Sequence, residues 1–380
     1  MQRSRQAAIR RLAAKVCEKC GLAPWSPARG LDQQHLHTDV LVVGAGPIGI
    51  ELAVALKRAG VPYRQLDAGQ IGSTVAWYAP QTHFFSSPER IAIAGVPLQT
   101  LDQTKATREE YLAYLRAVVM QFDLSIETYE RVITIVKRTA GFEVVSSGKG
   151  RQRTWNASKV VLAIGDMHHP RRVDVPGEDL PHVSHYFEDP HVYFRRRVLI
   201  VGGKNSAIEA AIRCVRVGAE VTLAHRGAEL DSSRIKFWLF PEMMGMVREG
   251  RMKVLADTVL SEIHPDRVLL RRHRESEADE LTEIETDVVL LLTGYEQSSD
   301  LFEQAGVTLI GPGRKPLVTE TTMETNVPGL FVAGTAAAGT QLSGVKEFIE
   351  TSHVHVERIV AALTGAVAPS ERADFEMPES

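Results

Sequence analysis

At 380 residues the chain is long enough for two or three domains, each with a hydrophobic core of its own. With 44% apolar and 24% charged residues it has the composition of a globular protein, and a formal net charge of −3 argues against the broad basic surface of a nucleic-acid binder. No uninterrupted apolar run reaches the roughly 20 residues of a membrane-spanning helix, so neither nucleic acid nor membrane is expected as a partner.

Residues 1–36 read as a solvated basic extension. Arg3, Arg5, Arg10, Arg11, Lys15, Lys19 and Arg29 stand against Glu18, without the apolar stretch of a secretory signal. Cys17 and Cys20 form a CxxC with His35 and His37 downstream. Zinc would need four ligands, and this spacing is an unusual one for it. A redox dithiol and an incidental pair are the other readings, and no metal is expected. Together with Cys214 these cysteines are too few for a disulfide framework, which points to a reducing cytoplasm.

The run Thr38 to Val43 predicts a strand that ends in Gly44-Ala45-Gly46-Pro47-Ile48-Gly49. A helix is expected from Ile50 to Ala59, then a strand from Tyr63 to Leu66 ending at Asp67. This is strand, glycine turn, helix, strand, with an acid about twenty residues after the glycines. Strand-like runs follow at Val132–Val136, Phe142–Val145 and Lys159–Ile164, the last closing on Gly165.

The same grammar returns later in the chain. Arg197 to Val201 runs into Gly202-Gly203-Lys204-Asn205-Ser206-Ala207, a helix to about Val217, and the strand Glu220 to Ala224. Its tail reads Val254–Leu255, Arg267–Leu270 and Asp287–Leu292, closing on Thr293-Gly294. Two copies of one module amount to an internal repeat at domain scale. A further buried strand, Leu330 to Ala333 between Gly329 and Gly334, precedes a helix over about Val345 to Leu363. The economical accounting makes it the returning last strand of the first module, with the second module inserted. The expected fold is therefore α/β: two Rossmann-like domains with β-meanders, the first over 37–168 and 297–366, the second over 190–296. A polar, acidic tail over 367–380 is expected to be disordered.

In the first turn Gly44 permits the tight bend, Gly46 lets backbone approach a pyrophosphate, and Gly49 lets helix pack on strand. The helix N-terminus, with Pro47 at its start, offers free N–H groups to phosphate, and Asp67 can accept from a ribose diol. The second turn departs from this pattern. Lys204 stands at the middle glycine position, either as part of a purely structural turn or with its ammonium on phosphate. Where Asp67 sits in the first module the second has His225, then Arg226, with Arg234 beyond. Arginine offers a forked, charge-assisted contact to a 2′-phosphate, which favours NADPH over NADH. Two modules with distinct second-strand ends imply two dinucleotides, and FAD with NADPH is the economical pair.

The order of these modules resembles the thioredoxin-reductase-type flavoproteins, and within them the bacillithiol-disulfide reductase family, over residues 38 to about 360. The matching stretches are Phe84-Phe85-Ser86-Ser87-Pro88-Glu89-Arg90, His185-Tyr186-Phe187, Val201 to Ala207, Thr293-Gly294-Tyr295 and Glu324 to Gly334. The resemblance implies FAD on Gly44, Gly46, Gly49 and Asp67, with Val132 near adenine and Ala163, Ile164 and Gly165 lining the nucleotide. It places Gly334 and Thr335 where thioredoxin reductases carry Gly-Asp, and it makes Lys204 part of an NADPH site with Gly202, Gly203, Asn205 and Ser206. A homodimer and a small-molecule or small-thiol acceptor are implied as well. Two departures stand out. No CxxC precedes the second turn, where the chain reads Val183 to Glu188, and Ile48 replaces the family's cysteine in the first turn. The acceptor is left open, with a flavin monooxygenase and a non-catalytic FAD/NADPH-binding protein as alternatives.

Overall fold

The computed structural model describes residues 35–272, 280–342 and 347–367. The Cys17/Cys20 pair and residues 368–380 of the acidic tail lie outside the described residues.

The first module is built on a seven-stranded sheet. Strand β1 (His35–Val43) lies between β2 (Tyr63–Leu66) and β6 (Arg151–Leu162), parallel to both, and β3 (Ile126–Glu127) extends the β2 edge. The start of β1 reaches two residues into the segment expected as extension. Opposite β1, β6 takes two successive partners within this one sheet. Its first half pairs antiparallel with β5 (Gly141–Gly148), which pairs with β4 (Glu130–Arg138) to make the meander. Its second half pairs in parallel with the Leu330–Val332 strand, β19, in register Leu162 to Val332. The first sheet is thus completed by chain that follows the whole second module, as the sequence led us to expect.

Why β1 and the end of β6 sit at the centre is plain from their side chains. Val40 to Val43 and Val160 to Leu162 are buried, as in a parallel sheet covered on both faces. One cover is the Pro47–Arg58 helix, which presents Leu52 and Leu56 to the sheet and Ile50, Ala53 and Val54 to the Arg108–Gln121 helix. The C-terminal helix Ile349–Thr364 packs along it.

The second sheet runs β11-β10-β9-β15-β8. Its strands are β8 (Val183–Ser184), β9 (Arg197–Val201), β10 (Glu220–Ala224), β11 (Met252–Leu255) and β15 (Val288–Leu291). Two details differ from the sequence reading. Val254–Leu255 belongs to β11, a third parallel strand beside β10 and not part of the meander. The second sheet also begins before residue 190, because β8 pairs with β15. Its meander is β12 (Thr258–Ile263), β13 (Arg267–Arg272) and β14 (Glu280–Glu285). The chain crosses between the modules twice, and the crossings pair with each other: β7 (His169–Pro170) runs antiparallel to β16 (Tyr295–Glu296), and β17 (Leu309–Ile310) and β18 (Lys315–Pro316) form a short antiparallel pair before β19.

Candidate cofactor sites

The first turn leaves β1 at its carboxyl end, where ligands of doubly wound sheets bind. Gly44 has φ 111°, and a Cβ there would collide with the Ala163 carbonyl at the end of β6. A Cβ at Gly49 would strike the Gly44 carbonyl, so helix and strand could not close. Gly46 is different. It caps the Pro47–Arg58 helix at φ −73°, and a Cβ on it would meet nothing within 4 Å. The protein itself does not require glycine at 46; what glycine leaves there is open space in front of the helix. No side chain caps this helix, so its first N–H groups are available to a ligand.

Asp67 is buried at the end of β2, and its two carboxylate oxygens accept from the Ala45 amide at 2.6 Å and the Gly69 amide at 2.7 Å. Burial raises its carboxyl, while these amides and the charge of Arg131 pull it back. Each oxygen retains a lone pair for a hydroxyl. Val132 and Ala163 are buried and Gly165 is half-buried at the carboxyl end of β6.

The second turn repeats the first with substitutions. A Cβ on Gly202 would stand 2.6 Å from the Leu292 carbonyl, the counterpart of Gly44 against Ala163. A Cβ on Gly203 would collide with the His225 ring. That ring, at the end of β10, is thereby laid against the turn, and its Nε2 lies 3.1 Å from the Glu229 carbonyl oxygen. Lys204 caps the Asn205–Arg216 helix from extended backbone and makes no side-chain cap, so these N–H groups too are left for a ligand. Asn205 faces inward, accepting from the Lys236 amide at 2.6 Å, while Ser206 is exposed. Burial, and then the charges of Arg234, Arg171 and Arg226, hold the Lys204 ammonium below its ordinary range. Four cations thus gather around one uncapped helix end. Arg234 pairs with Asp231 at 3.0 Å, whereas exposed Arg226 has no such carboxylate among the described residues.

Sequence reasoning missed the groups that line the rest of the crevice. Asp166, next to Gly165, accepts from Gln341 Nε2 at 2.9 Å and is hydrogen-bonded to the Thr335 side chain. Burial, helped by the Asp166 charge, pushes the Tyr78 hydroxyl up to about 12. His168 accepts from the Ser298 amide at 3.2 Å, and burial, with His169 and Arg131 nearby, lowers it to about 4, so it is a neutral ring. Nothing in the local sequence marks these residues; only the crossover geometry brings them together. The second module also grips the segment 77–85. Trp77 packs against Tyr186 and Tyr295 at 5.2 and 4.9 Å, Arg213 donates to the Pro80 carbonyl, Lys236 donates to the His83 carbonyl at 3.1 Å, and Phe85 stacks on Trp238.

Ile48, the second residue of the first helix, is buried, and Gly334 lies beside it. Cys214 is the cysteine among the described residues, and burial within the second core pushes its thiol up to about 12.

Two parallel sheets, each opening a glycine turn onto an uncapped helix, with one sheet inserted in the other, define a two-dinucleotide oxidoreductase. Residues 41–334 match the pyridine nucleotide-disulphide oxidoreductase family, and the chain belongs to it. It is 34% identical to the bacilliredoxin reductase Bdr of Bacillus subtilis (strain 168), over 85% of this chain and 96% of that one. Among solved structures, the bacillithiol disulfide reductase Bdr (YpdA) of Bacillus cereus superposes with a TM-score of 0.81 at 32% identity, covering 87% of this chain and 99% of that one. The Staphylococcus aureus enzyme of the same name gives a TM-score of 0.81 at 28% identity, with the same coverage. The protein is an FAD-dependent oxidoreductase that uses NADPH. The open space before Gly46 and the uncapped amides behind it fit a pyrophosphate, which tests that assignment on the chain's own residues.

Proposed function

We propose that this chain takes hydride from NADPH held on the second turn and transfers it to FAD held on the first. We further propose that electrons leave for a small acceptor directly, without a thiol relay at the first turn. The observation that carries this reading is Ile48, an apolar side chain packed beside Gly334 in the first turn. Disulfide exchange needs a thiolate as the attacking group. Cys214, buried in the second core, cannot supply one at this turn.

FAD, when bound, supplies two-electron acceptance from NADPH and delivery in single or paired steps. The chain's own residues do the rest. The helix N-terminus behind Gly44, Gly46, Pro47 and Gly49 holds the pyrophosphate, and Asp67 accepts from the adenosine ribose. Val132, Ala163, Gly165, Gly334 and Thr335 line the nucleotide. On the second turn Gly202, Gly203, Lys204 and Ser206 would face the NADPH pyrophosphate, Asn205 would add its backbone N–H while its side chain holds the Lys236 amide, and His225, Arg226 and Arg234 would form the pocket for the 2′-phosphate. The names of its relatives make a small-thiol disulfide the first acceptor to try. We extend the reading to a cytoplasmic homodimer, with domain limits at 37–168, 190–296 and 297–366 apart from the two shifts described above. Among the described residues no helix is long and apolar enough to cross a membrane.

An acceptor screen on purified holoenzyme tests this. NADPH should bleach the flavin rapidly, and oxygen or quinone should restore its colour faster than bacillithiol disulfide does. No bleaching would mean a binding protein without turnover, and a long-lived oxygen adduct would mean a monooxygenase. Fast reoxidation by the disulfide would overturn the direct-acceptor reading.

A further inference from the structure

The carboxyl ends of β1, β6 and β19 lie side by side, in register Val43 to Leu162 and Leu162 to Val332. Three loops therefore share the crevice: the first glycine turn after β1, Gly165-Asp166 after β6 and Gly334-Thr335 after β19. Their mutual packing is close. A Cβ on Gly334 would stand 3.4 Å from Ile48 in the glycine turn, and one on Gly165 would stand 3.8 Å from Thr335 Oγ1. Asp166 is the acid on these loops that accepts hydrogen bonds from the side chains of two later segments, Thr335 and Gln341. Gln341 is itself anchored, donating from Nε2 to the Glu347 carbonyl at 3.1 Å and accepting the Glu347 amide at 3.0 Å.

Two kinds of polar partner are thereby separated in one crevice. The uncapped helix behind Gly46 offers N–H donors, which suit phosphate. The Asp166 carboxyl offers acceptors, and a carboxylate repels phosphate but accepts from a hydroxyl. FAD carries both kinds of group in order: a pyrophosphate, then a chain of hydroxyls, then the flavin ring. We infer that Asp166 is a cofactor-positioning residue, its carboxylate held by Thr335 and Gln341 to accept from the hydroxyl-bearing chain between the phosphates and the flavin ring. This rests on FAD occupying the first turn. Burial raises the Asp166 carboxyl while Gln341 and Thr335 lower it, as expected of an acceptor sheltered from water and kept for one donor.

The test compares two probes on the full-length chain after its flavin has been released. ADP shares the adenosine and pyrophosphate of FAD and lacks the hydroxyl chain. Asp166→Ala should weaken FAD about 10-fold or more, the effect of one charge-assisted hydrogen bond, and leave ADP unchanged. Asp166→Asn, isosteric and able to keep a neutral bond, should fall between. Thr335→Ala should show the same selectivity to a smaller extent, which keeps the test open should Asp166→Ala fail to fold. Equal loss of FAD and ADP in the folded Asn variant, or no loss of either, would overturn the inference. The underlying seat is judged separately: if Gly46→Val retains ADP and FAD, the nucleotide is not on the first turn at all.

Discussion

Ile48 and Gly334 lie beside each other: a Cβ on Gly334, at φ 74°, would stand 3.4 Å from the Ile48 Cβ. An apolar side chain therefore fills the place where the family resemblance implies a cysteine. Ile48→Cys removes apolar volume from a buried site, at a cost on the order of 1 kcal/mol, and should fold with its flavin. It should raise the rate at which bacillithiol disulfide reoxidises the NADPH-reduced protein at least about 10-fold. Stopped-flow absorbance measures this directly. An unchanged rate would show that position 48 does not address the acceptor.

Gly46 and Gly49 of the first turn should separate by phenotype. A valine at 46 meets no protein atom at its Cβ, so Gly46→Val should fold with native circular dichroism and emerge colourless, its branches standing in the pyrophosphate's place. Gly49→Ala meets the Gly44 carbonyl and should instead lose stability along with flavin. Absorbance at the flavin band after desalting, set against thermal melts, distinguishes the two. Full flavin occupancy in Gly46→Val would end the case for this turn.

How much of this was legible in the sequence varies with the physical source of each feature. β9 and β10 coincide with their sequence limits because a parallel strand buried on both faces is a continuous apolar run. β14 (ELTEIE) is not legible as a strand because it is exposed along most of its length, which leaves little apolar alternation to see. The Arg108–Gln121 helix carries a readable start, since Thr107 and Glu110 form a capping box, but it lies outside the repeated strand, turn and helix pattern. The site divides in the same way. Glycine turns are local and announce themselves. Asp166 does not, because its meaning depends on Thr335 and Gln341, more than 160 residues away, arriving through an inserted module.

A pair outside the crevice sets a pH dependence of stability. His353, in the C-terminal helix, places Nδ1 2.7 Å from Glu51 Oε2 and Nε2 3.0 Å from the Arg90 carbonyl oxygen. Both ring nitrogens face acceptors, so only the doubly protonated imidazolium satisfies both. Burial alone would lower this histidine, but the hydrogen bond and charge of Glu51 outweigh it and raise the group, with Glu357 adding to the effect. Because the folded value exceeds the unfolded one, about 6.5, the stabilisation is fully present below that range. It is lost as pH rises through the elevated folded value. The melting temperature should therefore fall with rising pH above the ordinary histidine range, and His353→Gln should remove that component. A wild-type and a mutant curve of identical slope would show the pair to be silent.

The second turn makes the sharpest quantitative demand, because two of its cations should differ in what they discriminate. Arg226 stands exposed just past the end of β10, one residue beyond His225, which holds the place of the first module's Asp67. Losing a charge-assisted bond to the 2′-phosphate, about 1.5–3 kcal/mol, should weaken NADPH roughly 10- to 100-fold and leave NADH nearly unchanged. Lys204 caps the helix, where the phosphates common to both donors would lie. Its replacement by alanine should weaken both donors alike. The surrounding arginines repel the Lys204 ammonium, and an arriving phosphate relieves that repulsion, so NADPH affinity should also fall as salt screens the cluster. Anaerobic titration of flavin reduction with each donor, at two ionic strengths, gives all of these values in one series. Equal weakening of NADPH and NADH in Arg226→Ala would make that arginine structural, and the 2′-phosphate pocket would then have to be sought at Arg234 or Arg171.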